Sequence, residues 1–370
     1  MAYIRGSDCM KKVFIVVGTR PEAIKMAPVY KAMRSHKMLY PVLISTGQHR
    51  EMLDQVFDCF GIAPSFDLNV MTHNQNLSEV LTKSLTGLGD LIDSERPDCI
   101  LAQGDTTTVL ASALAAFNRQ IDFGHVEAGL RTYDLKKPYP EEGYRQMAAR
   151  VARWHFAPTP KPAQDLRSEA LSGEIHIVGN TVIDALLDIL SKPVNLPVDI
   201  KGKKMVLITG HRRENHEHFR MIFKAFKKLA GEFTDFEFIY PVHLNPNVKE
   251  IAQKELEGID NIQLIAPVGY AQIVALMSAA SLIITDSGGI QEEAPSLKVP
   301  VLIMRESTER KESVEIGAAK LVGVDPENIY KEARYLLANP AERLKMQVDE
   351  NPYGDGKTSA RICDILSKAL

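Results

Sequence analysis

The sequence predicts an α/β protein built from two Rossmann-like, doubly wound domains, and three observations predict it. Short apolar, β-branched runs alternate with amphipathic helical runs almost from end to end. The alternation halts once, over residues 191–204, and then restarts. The 370 residues are enough for two separate cores. Open parallel sheets bind ligands beyond the carboxyl ends of their strands, so chemistry is sought there.

Lys12–Val17 reads as the first strand, followed by Gly18 and by Pro21, whose fixed φ suits a first helical turn. The residues before it, Met1–Met10, have no apolar run and read as a disordered lead-in, not a signal peptide. Tyr40–Thr46 is the next strand and Arg50–Phe60 the next helix. Asp98–Gln103 and Ile121–Val126 are strands, with a small-residue helix at Thr107–Phe117 between them. Ile175–Gly179 and a helix near Thr181–Leu190 complete a first domain over residues 11–190. Pro193, Pro197 and Gly202 lie in a run without clear period, which reads as a linker over 191–204. Strands at Met205–Thr209, Phe236–Val242, Ile262–Ala266, Leu282–Thr285 and Val299–Met304 make a second domain over 205–350. Two sheets joined this way are expected to leave a cleft between facing sets of strand ends. Residues 351–370 carry a helix at about Lys357–Ala369, placed against the first domain by fold analogy.

Composition narrows the function classes. The chain is 45% hydrophobic and 25% charged, with net charge −3 and its basic residues dispersed, so neither nucleic acid nor membrane is indicated as a partner. Cys9, Cys59, Cys99 and Cys363 show no paired spacing and read as reduced thiols of a cytoplasmic protein. No stretch approaches transmembrane length.

Three acids stand out between Leu101 and Arg145. Asp105, Glu127 and Glu141 read as lying just past the ends of buried strands, where unlike surroundings can divide proton abstraction from proton donation. Each also has a plainer reading. Asp105, before three threonines, suits a helix N-cap, and Glu127 suits an ion pair with Arg131 one turn on. Arg20 and Lys25 stand near the start of the helix after Gly18. Cations there oppose the helix dipole and point to an anionic ligand, unless Lys25 is simply solvated. After the run Leu282–Thr285, Ser287, Gly288 and Gly289 offer backbone N–H groups and a hydroxyl to phosphate oxygens, and Glu293 suits ribose hydroxyls. His211, with Arg212 or Arg213 beside it, suits a phosphate leaving group. His211, His216 and His218 match no standard zinc spacing, and no metal site is predicted. Tyr133 and Lys137 have the offset of a nicotinamide-dependent pair, but no glycine fingerprint for a dinucleotide and no P-loop accompanies them.

These blocks have a known likeness. Gly18-Thr-Arg-Pro-Glu-Ala-Ile-Lys-Met-Ala-Pro28, Gln48-His-Arg-Glu-Met-Leu-Asp-Gln55, Gly104-Asp-Thr-Thr-Thr108, His125-Val-Glu-Ala-Gly-Leu-Arg131, Gly210-His-Arg-Arg-Glu-Asn215 and Asp286-Ser-Gly-Gly-Ile-Gln-Glu-Glu-Ala-Pro295 resemble the non-hydrolysing UDP-N-acetylglucosamine 2-epimerases of bacteria. Asn351-Pro-Tyr-Gly-Asp-Gly356 resembles that family's closing motif. The resemblance covers roughly residues 12–366 and implies two domains of the glycosyltransferase-B type, usually in a homodimer. It implies interconversion of UDP-N-acetylglucosamine and UDP-N-acetylmannosamine without NAD, metal or other cofactor, through UDP elimination to 2-acetamidoglucal and re-addition. It also implies a product that feeds bacterial surface polysaccharide synthesis.

Position by position, the resemblance implies Asp105, Glu127 and Glu141 as catalytic acids and His211 as the active-site histidine. It implies Arg20, Lys25, Ser287, Gly288, Gly289, Glu293 and Arg310 as UDP-sugar contacts, and Arg145 as a further active-site arginine. Which acid removes the proton and which returns it stays open. Ile273 stands where many members place a phenylalanine against uracil, which implies an aliphatic wall, and Lys311 stands where proline is usual. Gln48, Arg212 and His243 match positions of a second, activating UDP-N-acetylglucosamine site. Glu51 and Asn74 there replace a glutamine and an arginine, which argues against activation. A UDP-sugar-dependent glycosyltransferase and a hydrolysing epimerase are the alternatives, with a non-catalytic UDP-sugar sensor behind them.

Overall fold

The computed structural model describes residues 10–48, 50–72, 75–210, 212, 218–242 and 245–370. The expected lead-in therefore falls, apart from Met10, outside the described residues. Two compact units emerge: the chain up to Asp188 with Tyr353–Leu370, and Ile189–Pro352. Both are α/β, with wholly parallel sheets, as the alternating pattern predicts.

The first unit has seven strands: β1 (Lys11–Val17), β2 (Leu39–Ser45), β3 (Phe66–Asp67), β4 (Cys99–Gln103), β5 (Asp122–Val126), β6 (Trp154–Ala157) and β7 (Glu174–Ile177). Their order is β3-β2-β1-β4-β5-β6-β7. A parallel strand covered by helices on both faces reads as a continuous apolar run. β1 meets this demand: Val13 to Val17 are all fully buried, with Val13 opposite Pro41 on β2 and Cys99 on β4. Helix Thr107–Asn118 packs against helices Leu77–Glu95 and Glu141–Val151, and its buried Ala111, Ala113, Ala115 and Ala116 permit close approach. Helix Thr358–Ala369 also belongs to this unit. The N–H groups of Thr358 and Ser359 donate to the buried Asp184 carboxylate at 3.2 and 2.7 Å, which satisfies two orphan donors of that helix start.

The second unit has six strands: β8 (Lys204–Thr209), β9 (Phe236–Pro241), β10 (Ile262–Ile265), β11 (Leu282–Thr285), β12 (Val301–Ile303) and β13 (Ala319–Leu321). Their order, β10-β9-β8-β11-β12-β13, is the 3-2-1-4-5-6 arrangement of a doubly wound sheet. Helix Phe219–Glu232 buries Phe219, Ile222, Phe223, Phe226 and Leu229, a three-to-four-residue spacing that builds one apolar stripe. Phe219 and Phe223 stack with ring centroids 5.5 Å apart. The segment with Pro193, Pro197 and Gly202 lies in this unit: Gln263 donates to the Asp199 carbonyl at 2.8 Å, and Lys203 lies 3.1 Å from the fully buried Glu237.

In each sheet the chain reverses its direction of winding beside the first strand. The switch points lie between β1 and β4 and between β8 and β11.

Candidate active site

At the first switch point, strand ends are stitched together by side chains. β1 is followed by Gly18, where a Cβ would lie 2.1 Å from Thr108 Oγ1 and 2.5 Å from Thr46 Oγ1. Only glycine allows that approach, and the two threonine hydroxyls meet there at 3.0 Å. Glu22, on the first turn of helix Arg20–Arg34, accepts the N–H groups of Gly18 and Thr19 at 2.6 and 2.7 Å and the hydroxyl of Thr106. Burial pushes its carboxyl up to about 7, against the lowering effect of those donors.

β4 is followed by Gly104, whose φ of +90° turns the chain into Asp105. The N-cap of helix Thr107–Asn118 is Thr106, whose hydroxyl accepts from Val109 N–H, so the cap reading of Asp105 is replaced by its neighbour. Asp105 Oδ2 lies 3.3 Å from Arg145 Nη2. β5 leads into Glu127, which has φ +59°, a left-handed conformation costly for a residue with a Cβ. Its Oε2 receives Lys25 Nζ at 2.5 Å and Gln103 Nε2 at 2.7 Å. The expected partner, Arg131, is instead engaged by Glu169 at 2.6 Å. Lys25 is thus buried against a carboxylate, not merely solvated. His125, on β5, lies with Nε2 2.6 Å from the Gly104 carbonyl oxygen. Burial holds its ring down to about 3, so the imidazole is neutral and Nε2–H donates.

Glu141 requires a correction. It opens helix Glu141–Val151 and does not lie just past a strand end, because a polar loop intervenes after β5. Arg145, on that helix, lies 3.4 Å from Glu142 Oε2 and 3.3 Å from Asp105. Glu142, fully buried, accepts the N–H groups of Thr132 and Tyr133 at 3.0 Å each and Gln146 at 2.7 Å. Burial raises its carboxyl, but these donors and Arg145 outweigh it and leave it below the usual range. The first unit therefore gathers Lys25, Asp105, Glu127 and Arg145 around neighbouring strand ends. Arg20 is exposed at the start of its helix. Gln48 accepts weakly from Thr108 at 3.4 Å and lines a cavity of about 680 Å³ with Met71, Gln75 and Asn76.

The second switch point is stitched similarly. Arg212 donates its backbone N–H to Asp286 Oδ2 at 3.0 Å and its Nε to the Asp286 carbonyl at 3.1 Å, which ties the ends of β8 and β11. Ser287 occupies the N-cap position of the short helix Gly288–Glu293, without a side-chain cap hydrogen bond. Arg310 lies over this turn: a Cβ on Gly288 would come 3.0 Å from its guanidinium carbon, while one on Gly289 would meet nothing nearer than Glu293 Oε2 at 3.8 Å. Arg310 is held by Glu292 at 3.0 Å and Glu309 at 3.4 Å. Burial raises the Glu309 carboxyl, but Arg310 and Arg305 outweigh it and hold it down to about 2. Glu293 accepts the Tyr270 hydroxyl at 2.5 Å, and Ile273 is half-buried one turn along the same helix as Tyr270. His211, Arg213, His216, His243 and Asn74 lie outside the described residues. Among the described residues, no group of three His, Cys, Asp or Glu side chains is placed to hold a metal ion.

A family model described as UDP-N-acetylglucosamine 2-epimerase matches residues 31–367. The chain belongs to the UDP-N-acetylglucosamine 2-epimerase family. A family member from Campylobacter jejuni is 47% identical over 97% of this chain and 98% of its own length. One from Bacillus subtilis is 47% identical over 96% and 94%. The crystal structure of the epimerase from Neisseria meningitidis bound to UDP-GlcNAc superposes with TM-score 0.90 at 45% identity, covering 96% of this chain and 100% of that one. The glycotransferase of kitacinnamycin shares the fold alone, with TM-score 0.67 at 13% identity.

Glu22 and Glu142 lie in the first turns of their helices, where an acid in the sequence reads as an ordinary complement to the helix dipole. One sequence signal was available: Thr19 followed three residues later by Glu22 is a capping-box pattern, and the structure contains that box.

Proposed function

We propose that this chain epimerises UDP-N-acetylglucosamine and UDP-N-acetylmannosamine at sugar carbon 2 without hydrolysis. The observation that carries the reading is the pair of supported carboxylates on adjacent strand ends: Asp105 beside Arg145, and Glu127 held by Lys25 and Gln103. In this reading one acid removes the carbon-2 proton as the carbon 1–oxygen bond breaks and UDP departs with its electron pair. The product of that step is 2-acetamidoglucal. A proton is then returned to the opposite face of carbon 2 while UDP adds back at carbon 1. Asp105, Glu127 and Glu141 form the acid–base set, with His211 at the leaving diphosphate.

Arg20, Lys25, Arg145 and Arg310 supply cationic contacts to the substrate, and Lys25 also supports the Glu127 carboxylate. The Ser287–Gly289 backbone takes diphosphate oxygens, Glu293 takes ribose hydroxyls, and Ile273 forms an aliphatic wall for uracil. The substrate named for the Neisseria structure supports this choice of nucleotide sugar. The reading carries with it a cofactor-free cytoplasmic homodimer whose product feeds surface polysaccharide synthesis. Among the described residues no helix is long and apolar enough to cross a membrane. The resemblance assigns Gln48, Arg212 and His243 to an activating site in which Glu51 and Asn74 replace a glutamine and an arginine; one cation fewer and one anion more disfavour a diphosphate, so activation by UDP-N-acetylglucosamine is expected to be weak.

The decisive experiment is incubation with UDP-N-acetylglucosamine in deuterated water, followed by NMR. Deuterium at carbon 2 of UDP-N-acetylmannosamine is the expected result. Free N-acetylmannosamine with UDP would identify a hydrolysing enzyme. Sugar transfer without carbon-2 exchange would identify a glycosyltransferase.

A further inference from the structure

Glu22 takes no part in the chemistry above, yet only 2% of it is exposed. Its carboxylate spans the first switch point. One oxygen accepts Gly18 N–H and Thr19 N–H, on the turn leaving β1, and the other accepts the Thr106 hydroxyl, on the turn leaving β4. Thr106 is the residue after Asp105 and caps the helix that follows it.

Helix capping alone does not call for this arrangement. Helix Leu77–Glu95 in the same unit has an ordinary capping box, in which the exposed Glu79 reaches back only to Asn76 N–H at 3.2 Å. Glu22 does the same work at its own helix start and, in addition, grips a neighbouring loop. Burying a carboxyl is costly unless hydrogen bonds replace its water, and three donors meet this one. Beyond Thr106, the same turn is fixed from the other side by His125 on the Gly104 carbonyl. Asp105 thus sits between two clamps, with its carboxylate near Arg145.

We propose that Glu22 is a positioning residue for the reaction, clamping Thr106 to the Gly18–Thr19 turn so that the Asp105 carboxylate is held in its working direction. This rests on the reading of Asp105 as a catalytic acid or base. Small displacements of a reacting group cost far more in turnover than in ground-state binding, because the geometry matters most at the transition state.

The test compares epimerisation kinetics of Glu22→Gln, Thr106→Val, Thr106→Ser and the Glu22→Gln/Thr106→Val double variant, with Asp105→Asn as reference and UDP affinity measured by calorimetry. Glu22→Gln and Thr106→Val should each lower kcat by about 10- to 100-fold with KM and UDP affinity within about 3-fold. Thr106→Ser, which keeps the hydroxyl, should stay within about 3-fold of the parent, and the double variant within about 3-fold of the weaker single one, because both break one clamp. Parental kcat in Glu22→Gln beside an inactive Asp105→Asn overturns the inference, as do multiplicative effects in the double variant. If Glu22→Gln does not fold, the Thr106→Val and Thr106→Ser pair decides, and equal kcat in those two overturns it. An active Asp105→Asn removes the underlying catalytic assignment and the inference with it.

Discussion

Lys25 Nζ lies 2.5 Å from Glu127 Oε2, although 102 residues separate them in the chain. The strands that precede them are not neighbours: β4 runs between β1 and β5. β4 contributes Gln103 to the same oxygen at 2.7 Å, so three consecutive strands of the sheet deliver one group each to a single point. A carboxylate held this way keeps its orientation without help from substrate, and its left-handed backbone is paid for by those contacts.

Removing the cation should therefore be felt in stability as well as in catalysis. Lys25→Met removes the buried ion pair between Lys25 and Glu127, and urea denaturation should show a loss of about 3 kcal/mol. Adding Glu127→Gln should recover a large part of that loss, since the pair is then replaced by neutral groups. A loss below about 1 kcal/mol, the range of exposed pairs, would mean that the pair is screened by solvent.

Catalysis is tested at the acids themselves. Asp105→Asn and Glu127→Gln should each lower turnover by roughly 10²–10⁴, the usual worth of a positioned acid or base. UDP affinity should change little. Near-parental turnover in either variant would return that acid to a structural role.

The fold was legible where strands are long or fully buried. Val13 to Val17 form an apolar run that no amphipathic helix would show, and the restart at Met205 marked the second sheet. β3 and β13 escaped notice because they have two and three residues, too few to display a period. β6 escaped because its four residues include His155, a polar interruption that only tertiary burial explains. At the site, chemistry was legible in residue type and partnership was not. Arg131 is the nearest cation to Glu127 in helical spacing, yet Glu169 holds it, and the true partner arrives from another strand's helix. Nothing in the sequence separates Glu142 from its neighbour Glu141. Only the structure distinguishes a buried acid anchoring two backbone N–H groups from one with a half-exposed residue surface.

The glycine pair at 288 and 289 should respond unequally to a single methyl group. Gly288→Ala puts a Cβ 3.0 Å from the Arg310 guanidinium, which must give way by a few tenths of an ångström where Glu292 and Glu309 hold it, whereas Gly289→Ala meets nothing closer than 3.8 Å. If Arg310 contacts the nucleotide, calorimetry should show UDP binding weakened by about 3- to 10-fold in Gly288→Ala, a part of the worth of one charge-assisted contact. Gly289→Ala should stay closer to the parent. Equal affinities would remove Arg310 from the nucleotide site.

Two buried histidines should make the protein sensitive to acid. Burial holds His125 down to about 3, and burial with the nearby Arg131 charge holds His155 down to about 4. Below about 6.5 an unfolded histidine takes up a proton that the native ring refuses, so the unfolded state binds more protons and stability falls as pH falls. The contribution is fully present above about 6.5 and is lost down to about 4 for His155. Glu22 acts with the opposite sign: its raised carboxyl adds stability at low pH that disappears as pH rises through about 7. A bare pH profile mixes these effects, so the comparison is made between the parent and His155→Phe, which fills the same buried place without a titrating group. Between pH 7.5 and 4.5, urea denaturation should show the variant losing roughly 2.5 kcal/mol less than the parent, the size expected for a histidine held down to about 4. Parallel losses in the two proteins would show that His155 reaches water and titrates normally in the native state.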